Sequence, residues 1–326
     1  MRSGRRVAYL SICGGVLLSA VLAAHRVHAA EGGAGVYLLG FRGPLAGAVP
    51  PPGVYVENDF YYYHGTVGAQ HTFPTGGLLV AEVEGEAAVN VATGIWVTPI
   101  QVAGGSLGFS VTLPYGEESV SAGVQLTGPQ GNVLGLDIND TATSFGDLYL
   151  SSFIGWHAGM AHWTAGVSVN APSGQWQTGR LANMSFNHWA VDLFGALTWL
   201  DPALGYDASI AAGFTFNAEN PATDYTSGTE FHLEAALTKR FKNGFSFGVT
   251  GYHYEQITGD SGQGARLGDY KGRVTGIGPS LGYQFKLGET PVATQLKAFK
   301  EFNAENRLED GEAAFFTVTV PLGGGH

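Results

Sequence analysis

Four arrangements in this chain have residue types that could do chemistry. The spacing G-x-S-x-G, which surrounds the nucleophile of many hydrolases, occurs at Ser106, Ser246 and Ser280. It works where a strand turns sharply into a helix and exposes the hydroxyl. All three serines sit in strand-like stretches with no helical pattern after them, in a chain with 50 glycines, where chance matches are expected. The histidines are scattered, and neither H-x-x-x-H nor H-E-x-x-H occurs to set two imidazoles on one helix face for a metal. Asp137, Asn139 and Asp140 offer oxygen ligands at loop spacing but lack the glycine and distal glutamate of a calcium loop. This reading gives no catalytic residue, no metal and no cofactor.

The fourth arrangement is a ladder. From Val54 to Tyr63, one face carries Tyr55, Glu57, Asp59, Tyr61 and Tyr63, and the other carries Val54, Val56, Phe60 and Tyr62. Carboxylates are costly against lipid, so in a membrane barrel the first set lines the lumen. Aromatic walls with few polar groups suit a ring-bearing solute; simple filling of the interior is the alternative. Further lumen-facing candidates are Asp147, Tyr149, His157, His162, His188, Asp192, Asp207, His232, Glu234, Gln295, Lys297 and Glu301. At the external mouth, Asn217, Glu219, Asn220 and Tyr225 either read an entering ligand or brace the loop through the turn chemistry of Asn, Pro and Gly.

A barrel is the element that would position these residues, and composition argues for one. Charged residues make up 13% of the chain, about half the share usual in soluble domains. No segment beyond the first thirty residues has the continuous apolar run of a spanning helix. Lipid offers no partner to open backbone groups, so such a chain enters a bilayer as a closed sheet. The start reads as a secretory leader: Arg2, Arg5 and Arg6, an apolar run from Val7 to Ala24, then Ala29 and Ala30. The expected division is a signal peptide over 1–29, a periplasmic segment over 30–53 and a barrel over 54–326. Cys13, the single cysteine, falls in the leader, as do four of the sixteen basic residues and none of the 27 acids. The exported chain is thus more acidic than the net charge of −11 states, which excludes a nucleic-acid partner.

Strand alternation is clear in the C-terminal two-thirds. Trp189, Val191, Leu193, Leu197 and Trp199 oppose His188, Asp192 and Thr198; Tyr206, Ile210, Phe214 and Phe216 oppose Asp207, Ser209 and Thr215. The polar faces hold Gly, Ser, Thr and His, and aromatics close the apolar bands, as in a membrane girdle. Tight turns at 158–161, 201–205, 242–243 and 288–291 alternate with longer polar stretches at 172–185, 218–227, 256–271 and 303–310. That alternation gives nine strands, with both termini periplasmic. The N-terminal third adds strands at 54–63, 106–113 and 119–127, the last two split by a tight turn at Gly116 to Glu118, with Ser106 starting a downward strand. Ala81 to Ile100 is expected to be irregular or folded inward, and Gly128 to Phe145 to be the longest external loop. The total is a transmembrane antiparallel barrel of about twelve strands, with fourteen as the alternative.

Gly146-Asp147-Leu148 through Trp156-His157, Val169 to Gly174 (VNAPSG), Phe216 to Gly228 (FNAENPATDYTSG) and Gly276 to Phe285 (GIGPSLGYQF) resemble the outer-membrane proteins linked to the meta-pathway of phenol degradation. The likeness extends over nearly the whole exported chain, which departs from it by ending in Pro321 and a glycine tail rather than an aromatic. The resemblance implies an outer-membrane protein associated with aromatic-compound catabolism and expected to move such compounds across that membrane. Together the readings describe a non-enzymatic passive outer-membrane channel for small apolar solutes, with membrane lipid and an aromatic compound as partners. A structural or adhesive barrel is the alternative and an outer-membrane hydrolase the third. Segment 30–53 is too short to plug a wide barrel but could narrow a small one by folding inward.

Overall fold

The computed structural model describes residues 31–127, 133–269 and 271–323; the expected leader lies outside them. They form one antiparallel sheet. Its strands are β1 (Gly53–Thr75), β2 (Leu78–Val102), β3 (Gly105–Thr127), β4 (Val133–Phe145), β5 (Leu148–Ala158), β6 (Ala161–Ala171), β7 (Ala190–Asp201), β8 (Tyr206–Asn217), β9 (Glu230–Arg240), β10 (Phe245–Gln256), β11 (Arg273–Leu287), β12 (Thr290–Glu305) and β13 (Glu309–Gly323). β1 pairs with β13, Tyr55 opposite Pro321 and Tyr63 opposite Ala313, and this closes the barrel.

The wall has twelve positions. The first part of β3 pairs with β5, from Ser106 opposite Gly155 to Thr112 opposite Tyr149. Its later part pairs with β4, from Tyr115 opposite Phe145 to Thr127 opposite Val133. β4 and β5 are therefore two pieces of one position, broken at Gly146-Asp147, where the Gly146 amide donates to the Pro114 carbonyl at 3.0 Å.

The count of twelve agrees with the sequence reading, but the N-terminal third is assembled differently. Ala81 to Ile100 lies inside β2, a full strand of 25 residues. Gly116 to Glu118 is no turn: β3 runs through it, paired on both sides. β3 runs upward from the tight turn at Ala103-Gly104, not downward, and residues 133–145 of the expected external loop are strand β4. One strand omitted and one strand split in two cancelled in the total.

From β5 to β9 the strands hold 11 or 12 residues, about 36–40 Å at the usual strand rise. That length, tilted, fits an outward apolar band about 25 Å tall. Trp189, Leu193, Leu197, Phe214 and Phe216 point outward and are exposed, while Asp192, Asp207, Thr215, His232 and Glu234 are buried inside. β1, β2 and β3, at 23 to 25 residues, are about twice as long and rise past the outer rim as a tall wall. The chain between β6 and β7 folds against the inner side of that wall, where Leu181 and Ala182 pack with Val67, Val80, Val83 and Val120.

Candidate functional site

The first described residues fold inward, as the sequence reading allowed for a segment it otherwise placed in the periplasm. Residues 31–49 thread the lumen from the outer rim to the inner one. At the top, the Glu31 carboxylate accepts from the side chains of Asn220 and Thr223 in the β8–β9 loop. Midway, Glu234 accepts from the Tyr37 hydroxyl and the Gly40 amide, each at 2.9 Å. The Lys297 ammonium donates to the carbonyls of Gly40 and Phe41 at 2.6 and 2.7 Å. Tyr37 stacks on His232 with ring centroids 3.6 Å apart, and His232 is itself held by Asp192 at 2.8 Å. Arg42 lies over the Phe194 ring. Lower down, the Leu45 amide donates to Asp207 and Ser209, and Gly47 exchanges hydrogen bonds with Thr198 and Thr164. A Cβ at Gly47 would stand 2.7 Å from the Thr198 nitrogen, so the backbone approaches the wall this closely only as glycine.

The physical cause is the polar inner face of β7 to β9. A peptide enclosed in a lumen must find partners for its N–H and C=O groups, and these strands supply them. Barrel carboxylates not engaged by the segment are met by neighbours: Glu57 by the Thr319 hydroxyl at 2.9 Å, Asp59 by Thr317, and Glu301 by the hydroxyls of Tyr63 and Tyr252 at 3.0 and 2.7 Å. Arg240 also pairs with Asp207.

Between the segment, the tall wall and the β6–β7 loop, a cavity of about 330 Å³ is left. Tyr61 and Tyr63 from β1, Val83, Val89 and Val91 from β2, Val120 from β3, Tyr149 from β5, and Leu38 and Phe41 from the segment make its walls largely apolar and aromatic. Its loop side is built by two carboxylates. Asp147, at the break between β4 and β5, accepts from the Asn170 and Ser185 side chains and from the Gly174 and Phe186 amides. Asp140 holds Arg180 and the Leu181 and Ala182 amides. Asp140, read from the sequence as part of an oxygen-ligand cluster, thus carries an ion pair in a strand; among the described residues no group suited to a metal is found.

Of the residues singled out in the sequence, the cavity brings together Tyr61, Tyr63, Asp147, Tyr149 and His188. Tyr55 stands apart near the inner rim, its hydroxyl donating to the Pro51 carbonyl, so the tyrosines do not form one continuous ladder. Asp192, Asp207, His232, Glu234 and Lys297 hold the inward segment directly or through a neighbour. His157 and His162 face each other across β5 and β6, centroids 6.2 Å apart. Gln295 donates to Ser280. At the mouth, Asn217 contacts Gly228, Glu230 and His188, buried Asn220 caps Ala222 and holds Glu31, and Tyr225 donates to Asp260. These three brace loops, while Glu219 is exposed. Burial holds the His188 imidazole below its ordinary pKa, and both ring nitrogens are hydrogen-bonded.

Sequence reading missed Glu31, Tyr37, Arg42, Trp176, Arg307 and the β2 valines. Arg307 and Leu308 turn inward from the β12–β13 hairpin. Leu308 covers Gly65 and Gly85, which face each other across β1 and β2; a Cβ on either would stand 2.9 or 2.7 Å from it. That glycine pair was the available signal, and it has meaning only once the two strands are known to pair.

A closed antiparallel barrel with an apolar, aromatic outer belt and a polar, filled interior defines an outer-membrane β-barrel protein. Residues 69–316 match the family described as "Putative MetA-pathway of phenol degradation", and the chain belongs to that family, as its four sequence blocks implied. An outer membrane channel from Pseudomonas putida F1 shares the fold: TM-score 0.64 at 16% identity, covering 86% of this chain and 99% of the channel. A FadL homologue from Pseudomonas aeruginosa aligns at TM-score 0.41 and 11% identity, covering 86% of this chain and 92% of its own. No curated protein matches the sequence.

Proposed function

We propose that this protein is a passive outer-membrane channel through which small, apolar, ring-bearing compounds move down their gradient. The cavity carries this reading: about 330 Å³, within the range of small-molecule sites, walled by valines and aromatic rings on the outer side of the membrane. Weak, repeated apolar contacts admit such a solute and let it go. The family's link to phenol degradation and the channel named among the similar folds support the same reading. Residues 31–49 wall one side of the cavity and fill the axial path below it, so in this mechanism passage inward requires the segment to give way.

A hydrolase has no comparable support, since Ser106, Ser246 and Ser280 lie within β3, β10 and β11 and, among the described residues, no helix follows any of them. A purely structural barrel would have no use for an aromatic-walled cavity. The test is uptake into liposomes holding the purified protein: a phenol-like compound should enter faster than a sugar of similar size. Equal rates, or no entry of either above protein-free liposomes, would reject the channel reading.

A further inference from the structure

We propose that the cavity takes an aromatic carboxylate, with its ring against the valines and tyrosines and its charged group on Arg307. This rests on the channel reading and specifies the solute.

Arg307 is 9% exposed and is the only lysine or arginine among the described residues that line the cavity. Its guanidinium carbon lies 4.4 Å from the Tyr254 ring centroid, and its Nη1 has no hydrogen-bond partner among the described residues. A second buried donor at the same cavity, the Trp176 indole nitrogen, is also without one. Asp147 accepts four hydrogen bonds, His188 uses both ring nitrogens, and the Tyr63 hydroxyl donates to Glu301; Glu31, Glu86 and Glu118 also line the cavity, and Glu31 Oε1 has no partner among the described residues.

The cavity wall therefore holds two unpaired buried donors, one of them part of a full positive charge, among largely apolar side chains and four carboxylates. Buried donors left unpaired are costly, and a solute that brings an acceptor recovers that cost while a bare hydrocarbon does not. A guanidinium keeps its charge at any working pH, and its planar fork matches a carboxylate. The turn is held in place for this: Asn303, Asn306 and Asp310 bend the hairpin with positive φ, and Leu308 is wedged over Gly65 and Gly85. Glu301 and Glu230 also feel the Arg307 charge, so the test has to separate solute recognition from charge balance inside the protein.

Calorimetric titration of the purified full chain in detergent, with benzoate and with toluene as the neutral ring, makes that separation. The wild type should bind benzoate at least tenfold more tightly than toluene. Arg307→Gln should remove the preference and leave toluene binding unchanged, and Arg307→Lys should restore part of it. Loss of both ligands in a folded Arg307→Gln protein would show that Arg307 only holds the turn and would overturn the proposal. Equal wild-type affinities would overturn it while leaving the channel reading intact, and failure of the wild type to bind either would reject both. Should Arg307→Gln not fold, Trp176→Phe decides: it should weaken benzoate a few-fold and spare toluene, and an unchanged benzoate affinity would count against the site.

Discussion

The inner face of β7 to β9 and the upper inner face of β1 to β3 meet the same lumen with contrasting chemistry. On the first, Asp192, Asp207, Thr215, His232 and Glu234 are buried, and the threaded segment rests on them. On the second, Val83, Val89, Val91 and Val120 line the cavity beside Tyr61 and Tyr63, and what packs on Val83 and Val120 is side chains, Leu181 and Ala182 of the β6–β7 loop. A peptide in an enclosed space goes where its N–H and C=O groups are matched, so the polar wall is covered. The apolar wall offers few partners to a backbone, and the part not covered by the β6–β7 loop stays open to an apolar solute. Closure and cavity are two outcomes of one asymmetry.

The largest effect should come from fixing the closed side. An ideal Cβ at Gly43 stands 3.8 Å from the Thr250 hydroxyl, close enough for a Gly43→Cys, Thr250→Cys pair to bridge. Oxidised, the pair should stop uptake of a phenol-like solute, and reductant should restore it; undiminished uptake under the lock would mean that the segment does not gate the path. Loosening the same side is the converse. Lys297→Ala removes two hydrogen bonds from a charged donor to the segment, each contributing about 1.5–3 kcal/mol, and should raise conductance to small ions in planar bilayers.

Leu193→Arg tests the outer belt of the polar half. Leu193 is 50% exposed on the lipid side, and an arginine there should cost about 2–4 kcal/mol if the site lies at mid-bilayer, read by urea unfolding in lipid vesicles. The apolar half is sharpened by Tyr61→Ala with Tyr63→Ala, which should slow a phenol-like solute several-fold and a sugar hardly at all, whereas Tyr55→Ala should change neither. A drop with Tyr55→Ala alone would restore the continuous ladder.

The smallest effect belongs to the mouth. Burial pushes the Asp260 carboxyl up to about 7 from its ordinary 3.8, so between those values the folded loop holds a proton that the unfolded chain has released. Its closure over Tyr225 and Gly228 is then favoured on the acid side and weakens as pH rises through 7. Limited proteolysis within 257–272 should be faster at pH 8 than at pH 5.5, and Asp260→Asn should abolish the difference.

The short strands were legible because lipid imposes one rule on them: every second residue from Trp189 to Trp199 and from Tyr206 to Phe216 must tolerate hydrocarbon, so the period of two is written plainly. β2 was not legible. Its upper half faces a local cluster rather than lipid, and runs such as Gly85, Ala87 and Ala88 carry little contrast between faces. Nor does the glycine at 116 mark a turn; it sits where the strand passes close to the Ala88 backbone, whose oxygen would lie 2.4 Å from a Cβ there. The sequence by itself determined the class of protein, the family, the outward belt and the inward-facing polar set. Only the tertiary structure decided that residues 31–49 occupy the lumen, that Lys297 and Glu234 hold them, and that Arg307 turns into the cavity. Periodicity records which side of a sheet a residue occupies. It cannot record what comes to meet it, when the partners of Gly40 stand 194 and 257 residues along the chain.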